Sequence, residues 1–327
     1  MDSIRFIAAF WVMLYHIGTA PLYDHFVRDT LFLKVCGAFF DCLFNGPAAV
    51  IVFFVISGFC IHYPQSRGGD IHVPGFLGRR YIRILIPLLV CLGGCHLYGL
   101  STDTVGDLVG WSIECELVYY TAYPLLLKLN KRVGWGVMVL ITLPVSLVYV
   151  SQTHSDAMMY PSFGLLGNSL LGLPCWLLGC KLAEKPVRQQ GVGARRLWLS
   201  RAGILAGGML TFSLMLHAKI GFPWTLNLFA ISVYFWLGSE IAHYQLVSPP
   251  MLVESAGSWS YSLYLMHGPI AELFNGTGVT LSSPVLLWVC RTGFILALSY
   301  FFYLLVEKPS HQLARWVGKK VQGPKLA

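Results

Sequence analysis

The 327 residues of the chain are 56% hydrophobic and only 12% charged, which leaves too few polar side chains to cover a soluble globule. A mean hydropathy of +0.63 instead indicates a polytopic membrane protein. The net charge of +8 does not point to a nucleic-acid partner, because the basic residues stand between apolar runs rather than on one amphipathic face. Most of the nine cysteines lie inside apolar runs and none has the spacing of zinc ligands, so the sequence predicts no metal site.

Ten apolar runs are long enough to cross a bilayer as helices of roughly 17–25 residues each. The sequence therefore predicts an all-α fold, a polytopic membrane helix bundle of about ten transmembrane helices. No separate water-soluble domain or internal repeat is visible, so residues 1–327 are predicted to form a single integral membrane domain. The predicted spans are 4–22, 45–63, 77–100, 111–128, 133–151, 163–183, 199–217, 222–242, 257–275 and 285–306.

Lysine and arginine divide unevenly between the two sides of these spans. Nineteen of the 23 stand on one side, and only Arg28, Lys34, Lys219 and Arg291 stand on the other. The positive-inside rule then predicts that both termini lie in the cytoplasm.

The connection between the first two spans, residues 23–45, mixes apolar and charged residues and is predicted to lie as an amphipathic segment on the outer surface. Cys36 and Cys42 fall in it, outside a clear span. They are candidates for a disulfide, with free thiols as the alternative.

The first span contains two ionisable residues, Arg5 and His16, with ten residues between them. At about 1.5 Å per residue they are roughly 16 Å apart along a helix, so an arginine at the membrane surface places the histidine near the bilayer centre. A histidine at that depth needs a partner or a task. The alternative to a functional role is a histidine whose hydrogen bonds are satisfied by a neighbouring helix.

The next two spans add a small-residue pair and a group of arginines. Ser57 and Gly58 allow another helix to approach closely. Arg79, Arg80 and Arg83 begin the third span, and at least two of them share one helix face at the membrane boundary. Guanidinium groups placed in this way can bind a phosphate through paired hydrogen bonds, although a simple positive-inside anchor explains the charge equally well.

The fourth span begins with two carboxylates, Glu114 and Glu116. Being two residues apart on a helix, they cannot face the same way, so at most one points into the bundle, where a histidine or Arg291 is the expected partner. His267, in the ninth span, reaches about the depth of His16 by the helical rise. The two imidazoles can therefore meet in a shared cavity, unless they are two unrelated buried histidines.

The remaining histidines lie at span ends or in loops and are predicted to be solvated. They are His25, His62, His72, His96, His154, His217, His243 and His311.

Six sequence motifs follow one another along nearly the whole chain. They are Arg5 with His16; Phe54-Val55-Ile56-Ser57-Gly58-Phe59; Arg79-Arg80 with Arg83-Ile84 and Pro87; Trp111-Ser112 with Glu116 and Tyr120; Tyr261-Ser262-Leu263-Tyr264-Leu265-Met266-His267; and Glu307-Lys308-Pro309. Taken together and in this order, they resemble the membrane acyltransferase-3 family. Members of the family transfer acetyl or similar groups from cytoplasmic acyl-CoA to sugars or other acceptors, often bacterial surface polysaccharides.

The resemblance implies that His16 is the catalytic histidine and that Arg5, Arg80 and Arg83, with Arg79 beside them, hold the donor. Coenzyme A carries its phosphates at one end and its thiol at the other, which suits arginines at the boundary and a histidine about 16 Å deeper. His16 is expected to take the proton from the attacking acceptor hydroxyl, with an acyl-histidine intermediate as the variant.

Three further side chains complete the predicted site. His267 is expected to share the catalytic centre with His16. Glu116, or else Glu114, is expected to orient an imidazole or the acceptor hydroxyl, and Ser57 to donate to the thioester oxygen.

The predicted function is transfer of an acetyl or short acyl group from acetyl-CoA to a hydroxyl of a saccharide, such as a surface polysaccharide or its lipid-linked precursor, in the bacterial inner membrane. The expected partners are acetyl-CoA, this acceptor and membrane lipids, with a homo-oligomer possible. The alternatives are a transporter of an anionic or acylated small molecule that uses the histidines as a proton relay, and an acyltransferase for a small hydrophobic metabolite or lipid.

Overall fold

The computed structural model describes residues 1–21, 32, 37, 39–40, 42–69, 71–102, 105–185 and 192–322. Within these ranges the regular secondary structure is entirely helical, which confirms the all-α prediction. Most of the predicted surface segment after the first span lies outside the described residues. Cys36, and with it the predicted disulfide, also lies outside them.

Each of the ten predicted spans corresponds to one long helix, and two shorter helices follow the eighth and tenth spans. The helices of the described chain are α1 (Asp2–Ile17), α2 (Gly46–Ser66), α3 (Val73–Leu97), α4 (Trp111–Val133), α5 (Trp135–Thr153), α6 (Gly164–Ala183), α7 (Ala194–His217), α8 (Phe222–Tyr244), α9 (Met251–Ala256), α10 (Ser260–Gly276), α11 (Pro284–Phe302) and α12 (Lys308–Gln322). A π-helical turn, Gly106–Gly110, precedes α4, and a second, Tyr303–Glu307, joins α11 to α12. Two short 3₁₀ turns, Tyr160–Phe163 and Gly257–Trp259, precede α6 and α10.

Seven helices of the described chain are long and apolar enough to cross a membrane: α2, α3, α5, α6, α7, α8 and α11. The other three long helices are shorter or more polar. α1 and α10 have 16 and 17 residues, and α4 carries two carboxylates in its first two turns. These three helices bear His16, Glu116 and His267, so the helices that are least suited to lipid carry the predicted catalytic residues.

Helices α2 and α6 pack backbone against backbone. A methyl group on Gly58 of α2 would collide with the carbonyl of Trp176, and one on Gly179 of α6 would collide with the carbonyl of Val55. The close approach that the sequence predicts at Gly58 is therefore present, and α6 is its partner. Because α6 is buried over most of its length, this contact lies at the centre of the bundle.

Helix α1 ends earlier than predicted, at Ile17 rather than residue 22. Gly18 has φ = 86°, a left-handed conformation that glycine adopts readily and that terminates a helix. The indole of Trp288 donates to the Gly18 carbonyl at 2.9 Å, and Arg291 donates to the Ile17 carbonyl at 3.3 Å. His16 consequently lies in the last helical turn, which α11 holds in place.

The opposite end of α1 is held by the short helix α9. A carboxylate oxygen of Glu254 accepts a hydrogen bond from the Ser3 amide at 3.0 Å. Partial burial raises the pKa of Glu254. The hydrogen bonds from Ser3 and the positive charge of the amino terminus outweigh this effect, so the pKa is lowered overall. Both ends of α1 are thus tied to helices from the carboxyl-terminal part of the chain.

His62 was predicted to be solvated, and this prediction is wrong. Its side chain is buried, with Nδ1 2.9 Å from the Tyr123 hydroxyl and Nε2 accepting from the Trp135 indole at 3.0 Å. Nε2 also lies 3.2 Å from a carboxylate oxygen of Glu184. Although His62 stands near the end of α2, helices α4, α5 and α6 surround that end, so position along the span does not decide its exposure.

We expect Gly179→Ala to lower the free energy of unfolding by about 1–3 kcal/mol, because the added methyl must displace the α2 backbone. Gly203→Ala is the matched control, since a methyl there would meet nothing within 4 Å. Thermal unfolding in detergent, followed by tryptophan fluorescence, measures both. Equal melting temperatures for Gly179→Ala and wild type would show that the two helices are not in close contact.

Candidate active site

A cavity of about 370 Å³ lies where the first turn of α1 meets α2, α3, α4 and α10. We call it the arginine cavity, and the end of the bundle on which it lies the basic end. Five of the predicted site residues line it, contributed by four different helices: Arg5, Ser57, Arg80, Arg83 and Glu116. Its other lining residues are Asp2, Phe53, Ile56, Cys60, Ile61, Ile84, Tyr120 and Tyr261.

The arginine cavity carries a surplus of positive charge. Its walls hold three guanidinium groups and two carboxylates, those of Asp2 and Glu116. Arg5 lies 3.8 Å from the Asp2 carboxylate, and the guanidinium of Arg80 lies over the rings of Phe76 and Tyr120, 5.8 Å from each ring centre. Because the surroundings are apolar, this surplus attracts an anion more strongly than the same charges would in water.

A chain of hydrogen bonds crosses the wall of the arginine cavity. The Tyr120 hydroxyl donates to the Glu116 carboxylate at 3.0 Å, so it accepts from the Ser57 hydroxyl at 3.1 Å. The Trp176 indole donates to the Ser57 oxygen at 3.3 Å. The hydrogen of Ser57 is therefore directed to Tyr120 in this arrangement, and Glu116 stands at the accepting end of the chain.

A narrower cavity of about 60 Å³ continues from the arginine cavity towards α10. The two cavities share Arg5 and Glu116, and the narrow one reaches Ser112 and Tyr264. The hydroxyl groups of Ser112 and Tyr264 are 2.6 Å apart. Beyond them, the Tyr264 ring lies 6.3 Å, centre to centre, from the ring of His267. Tyr264 therefore stands between the narrow cavity and the histidines.

His16 and His267 form a direct hydrogen bond, as their equal predicted depth suggested. His16 Nδ1 lies 2.8 Å from His267 Nε2, and the two rings are almost parallel, at 2°. His267 is fully buried on α10, whereas His16 keeps part of its surface accessible. The arrangement joins the last turn of α1 to the middle of α10.

The surrounding carbonyl groups assign the hydrogens of this pair. His267 Nδ1 lies 2.8 Å from the Tyr264 carbonyl oxygen, which can only accept, so Nδ1 carries the hydrogen of the neutral ring. His267 Nε2 is then an acceptor and receives the hydrogen of His16 Nδ1. In the neutral His16 ring, Nε2 then carries the lone pair that a general base requires.

Some predicted site residues belong neither to the arginine cavity nor to the His16–His267 pair. Glu114 is exposed on the outer side of α4, so Glu116 is the carboxylate that faces inward. Its expected partners lie elsewhere, because Arg291 donates to the Ile17 carbonyl and each histidine bonds to the other or to a carbonyl on α10. The rotation of α4 instead directs Glu116 towards Arg5 and Tyr120 in the arginine cavity.

Arg79 lies outside the arginine cavity and lines a second, open pocket of about 180 Å³ between α3 and α12. Two other residues of this pocket, His311 and Arg315, had no predicted role. His311 was predicted to be solvated, but its Nε2 atom is buried. The basic residues after the last predicted span indicated that this segment is positively charged. They did not indicate that α12 packs back against α3.

Glu307 is another buried residue for which the sequence predicted no role. It accepts hydrogen bonds from the backbone and side chain of Ser262, the backbone bond at 2.9 Å. This contact ties the π-helical turn before α12 to α10. Among the described residues, no group of three or more metal-ligating side chains is arranged to hold an ion.

The membrane helix bundle thus holds an arginine-lined cavity and, further in, a hydrogen-bonded pair of histidines. The comparisons with known proteins give the family. The family model described as "acyltransferase domain" matches residues 1–304, so the chain belongs to the acyltransferase-3 family of membrane acyltransferases. It is also 24% identical over 315 residues to acyltransferase MdmB from Streptomyces mycarofaciens, with 82% of this chain and 77% of the relative covered. No solved structure matches the chain.

For neutral rings, the hydrogen-bonding pattern predicts that both His16 and His267 carry their hydrogen on Nδ1. Nitrogen NMR of protein labelled at histidine distinguishes the two neutral forms, and His16→Ala and His267→Ala assign the signals. We expect two Nδ1-protonated rings in the wild type at neutral pH. A ring of either residue protonated on Nε2 would contradict the assignment.

Proposed function

We propose that the protein transfers an acetyl or other short acyl group from acetyl-CoA to a hydroxyl of a saccharide, such as a surface polysaccharide or its lipid-linked precursor. The main support for the proposal is that one acyltransferase bundle contains both the arginine cavity, which attracts anions, and a histidine that can act as a base. In this proposal the basic end faces the cytoplasm of a bacterium, where acyl-CoA is made, and the protein lies in the inner membrane.

The shape of the donor supports this placement. Arg5 and His16 lie on the same helix, so the helical rise separates them by roughly 16 Å along its axis. The phosphates of coenzyme A would bind to Arg5, Arg80 and Arg83, while the pantetheine arm directs the thioester through the narrow cavity past Tyr264. Metal ions are not needed for binding in this scheme, because the guanidinium groups supply the positive charge.

In the proposed reaction the acceptor hydroxyl attacks the thioester carbonyl while His16 Nε2 removes its proton. The new C–O bond forms, the C–S bond breaks, and the proton passes from His16 to the departing thiolate. His267 accepts from Nδ1 of His16, which holds the imidazole in orientation and stabilises it while it carries the proton. His16 is thus the catalytic base and His267 a positioning residue.

The carboxylate and the serine have more limited roles in this proposal. Glu116 lines both cavities, where it can orient the acceptor hydroxyl, and its carboxylate accepts a hydrogen bond from Tyr120 rather than from an imidazole. Ser57 can bind the thioester oxygen only by turning its hydrogen away from Tyr120.

A small hydrophobic metabolite or a lipid is the second candidate acceptor. An apolar groove of about 420 Å³ runs along the other side of α1, between that helix and α7 and α8. Ile7 and Trp11 line it on α1, and its wall also holds the ion pair of Arg201 with Glu240, at 2.7 Å. A groove with these walls favours hydrocarbon over sugar.

The proposal predicts different defects for a base variant and an arginine variant. In nanodiscs supplied with acetyl-CoA and acceptor, His16→Ala is expected to lower kcat by about 10²–10⁴-fold while CoA still binds. Arg83→Ala is expected to raise KM for acetyl-CoA by about tenfold or more, because charge-assisted bonds to phosphate are lost. Release of free CoA thiol is the measurement.

His217→Ala is the matched control, because this exposed histidine at the end of α7 contacts neither cavity. If folded wild-type protein neither binds acetyl-CoA nor releases CoA with any acceptor class, the donor assignment fails. Flux of a small anion across the membrane without CoA release would then support the transporter alternative.

A double-mutant cycle tests the positioning role of His267. We expect His267→Ala to lower kcat less than His16→Ala does, with little change in KM for acetyl-CoA. The double variant should be no slower than His16→Ala alone, because His267 acts through His16. Additive losses in kcat would instead mean that His267 contacts the substrates independently.

A further inference from the structure

The pocket between α3 and α12 is separate from the arginine cavity and has a different composition. Its lining residues are Arg79, Arg80, Arg83, His311, Ala314 and Arg315. Four of the six are arginines, a fifth is a histidine, and none is a carboxylate. Four guanidinium groups around one pocket repel one another unless an anion lies between them. The pocket therefore has the charge of an anion site in its own right.

Helix α12 is seated firmly enough to form a wall of this pocket. Ala314 is buried, and a methyl group on Gly318 would collide with the stem of Arg79, so the two helices are in close contact. At its beginning, α12 is tied to α10 through the bonds between Glu307 and Ser262. Arg315 and His311 are thereby held opposite the α3 arginines rather than free in solution.

Unused hydrogen-bonding capacity remains in the pocket. The buried Nε2 of His311 has no hydrogen-bond partner, although it lies 3.4 Å from a Glu307 carboxylate oxygen. Arg80 and Arg83 line both this pocket and the arginine cavity. One ligand carrying two separated anionic groups could therefore occupy both spaces and be held by the same two arginines at its middle.

We propose that α12 completes a binding site for a phosphate monoester, and that this group is the 3′-phosphate of the CoA nucleotide. The proposal rests on the proposed function. A phosphate monoester carries about −1.5 to −2 charges at pH 7 and three acceptor oxygens, more than one arginine can satisfy. In coenzyme A it lies at the end remote from the thioester, which matches a pocket that opens at the basic end.

This assignment extends the donor site beyond the part of the chain that matches the family model. The match ends at residue 304, before α12 begins at Lys308. Arg315 is exposed at the rim of the pocket, so replacing it should leave the fold intact. It is therefore a specificity-determining residue that can be tested without disturbing the arginine cavity.

The test compares the affinities of CoA and of dephospho-CoA, which lacks the 3′-phosphate, for the full-length protein in nanodiscs by titration calorimetry. Wild type should bind CoA about tenfold or more tightly than dephospho-CoA, as expected for a charge-assisted phosphate contact. Arg315→Ala should remove most of this preference and change the affinity for dephospho-CoA by less than about twofold. Arg315→Lys should retain part of it.

Lys320→Ala is the matched control, since it removes one charge from the same helix at a side chain that lies over Trp316, away from the pocket. Its CoA preference should equal that of wild type. Equal binding of the two ligands by wild type, or an equal loss for both in Arg315→Ala, would overturn the phosphate site while leaving the proposed function standing. Failure of wild type to bind either ligand would overturn both.

Discussion

The constraint on which this structure depends is that polar groups inside a membrane bundle must find their partners within the protein. Arg201 meets it through two bonds to Glu240, at 2.7 and 2.9 Å, and Glu307 meets it through Ser262. His16 and His267 meet it by bonding to each other and to a carbonyl on α10. The bond that makes the histidines tolerable inside the bundle is also the bond that leaves Nε2 of His16 able to accept a proton.

The same constraint separates the site into two parts. Arg5, Arg80 and Arg83 outnumber the carboxylates beside them, and they line one cavity at the basic end, where their surplus charge attracts an anion. The histidines are neutral and can lie further in, behind Tyr264. An elongated donor with its charge at one end and its reactive group at the other fits this separation. Helix α12 contributes side chains to the charged part alone.

The structure differs from the sequence predictions at two histidines and at the end of the first helix. His62 and His311 stand near span ends and were expected in solvent, but other helices cover those ends and bury their nitrogen atoms. The predicted first span runs to residue 22, whereas the left-handed Gly18, which also bonds to α11, ends the helix at Ile17. Helices distant in sequence decide the exposure of the two histidines, and a local glycine conformation sets the end of the first helix.

The sequence by itself determined that the chain is an all-α membrane bundle, how many long helices it has, and which arginines and histidines are candidates for chemistry. These properties follow from the length of apolar runs and the positions of charges, which are local. Only the tertiary structure decided that Glu116 faces Arg5 rather than a histidine, and that α12 returns to α3. Those outcomes depend on how each helix is rotated about its axis, and that rotation is set by neighbours that are far away in the sequence.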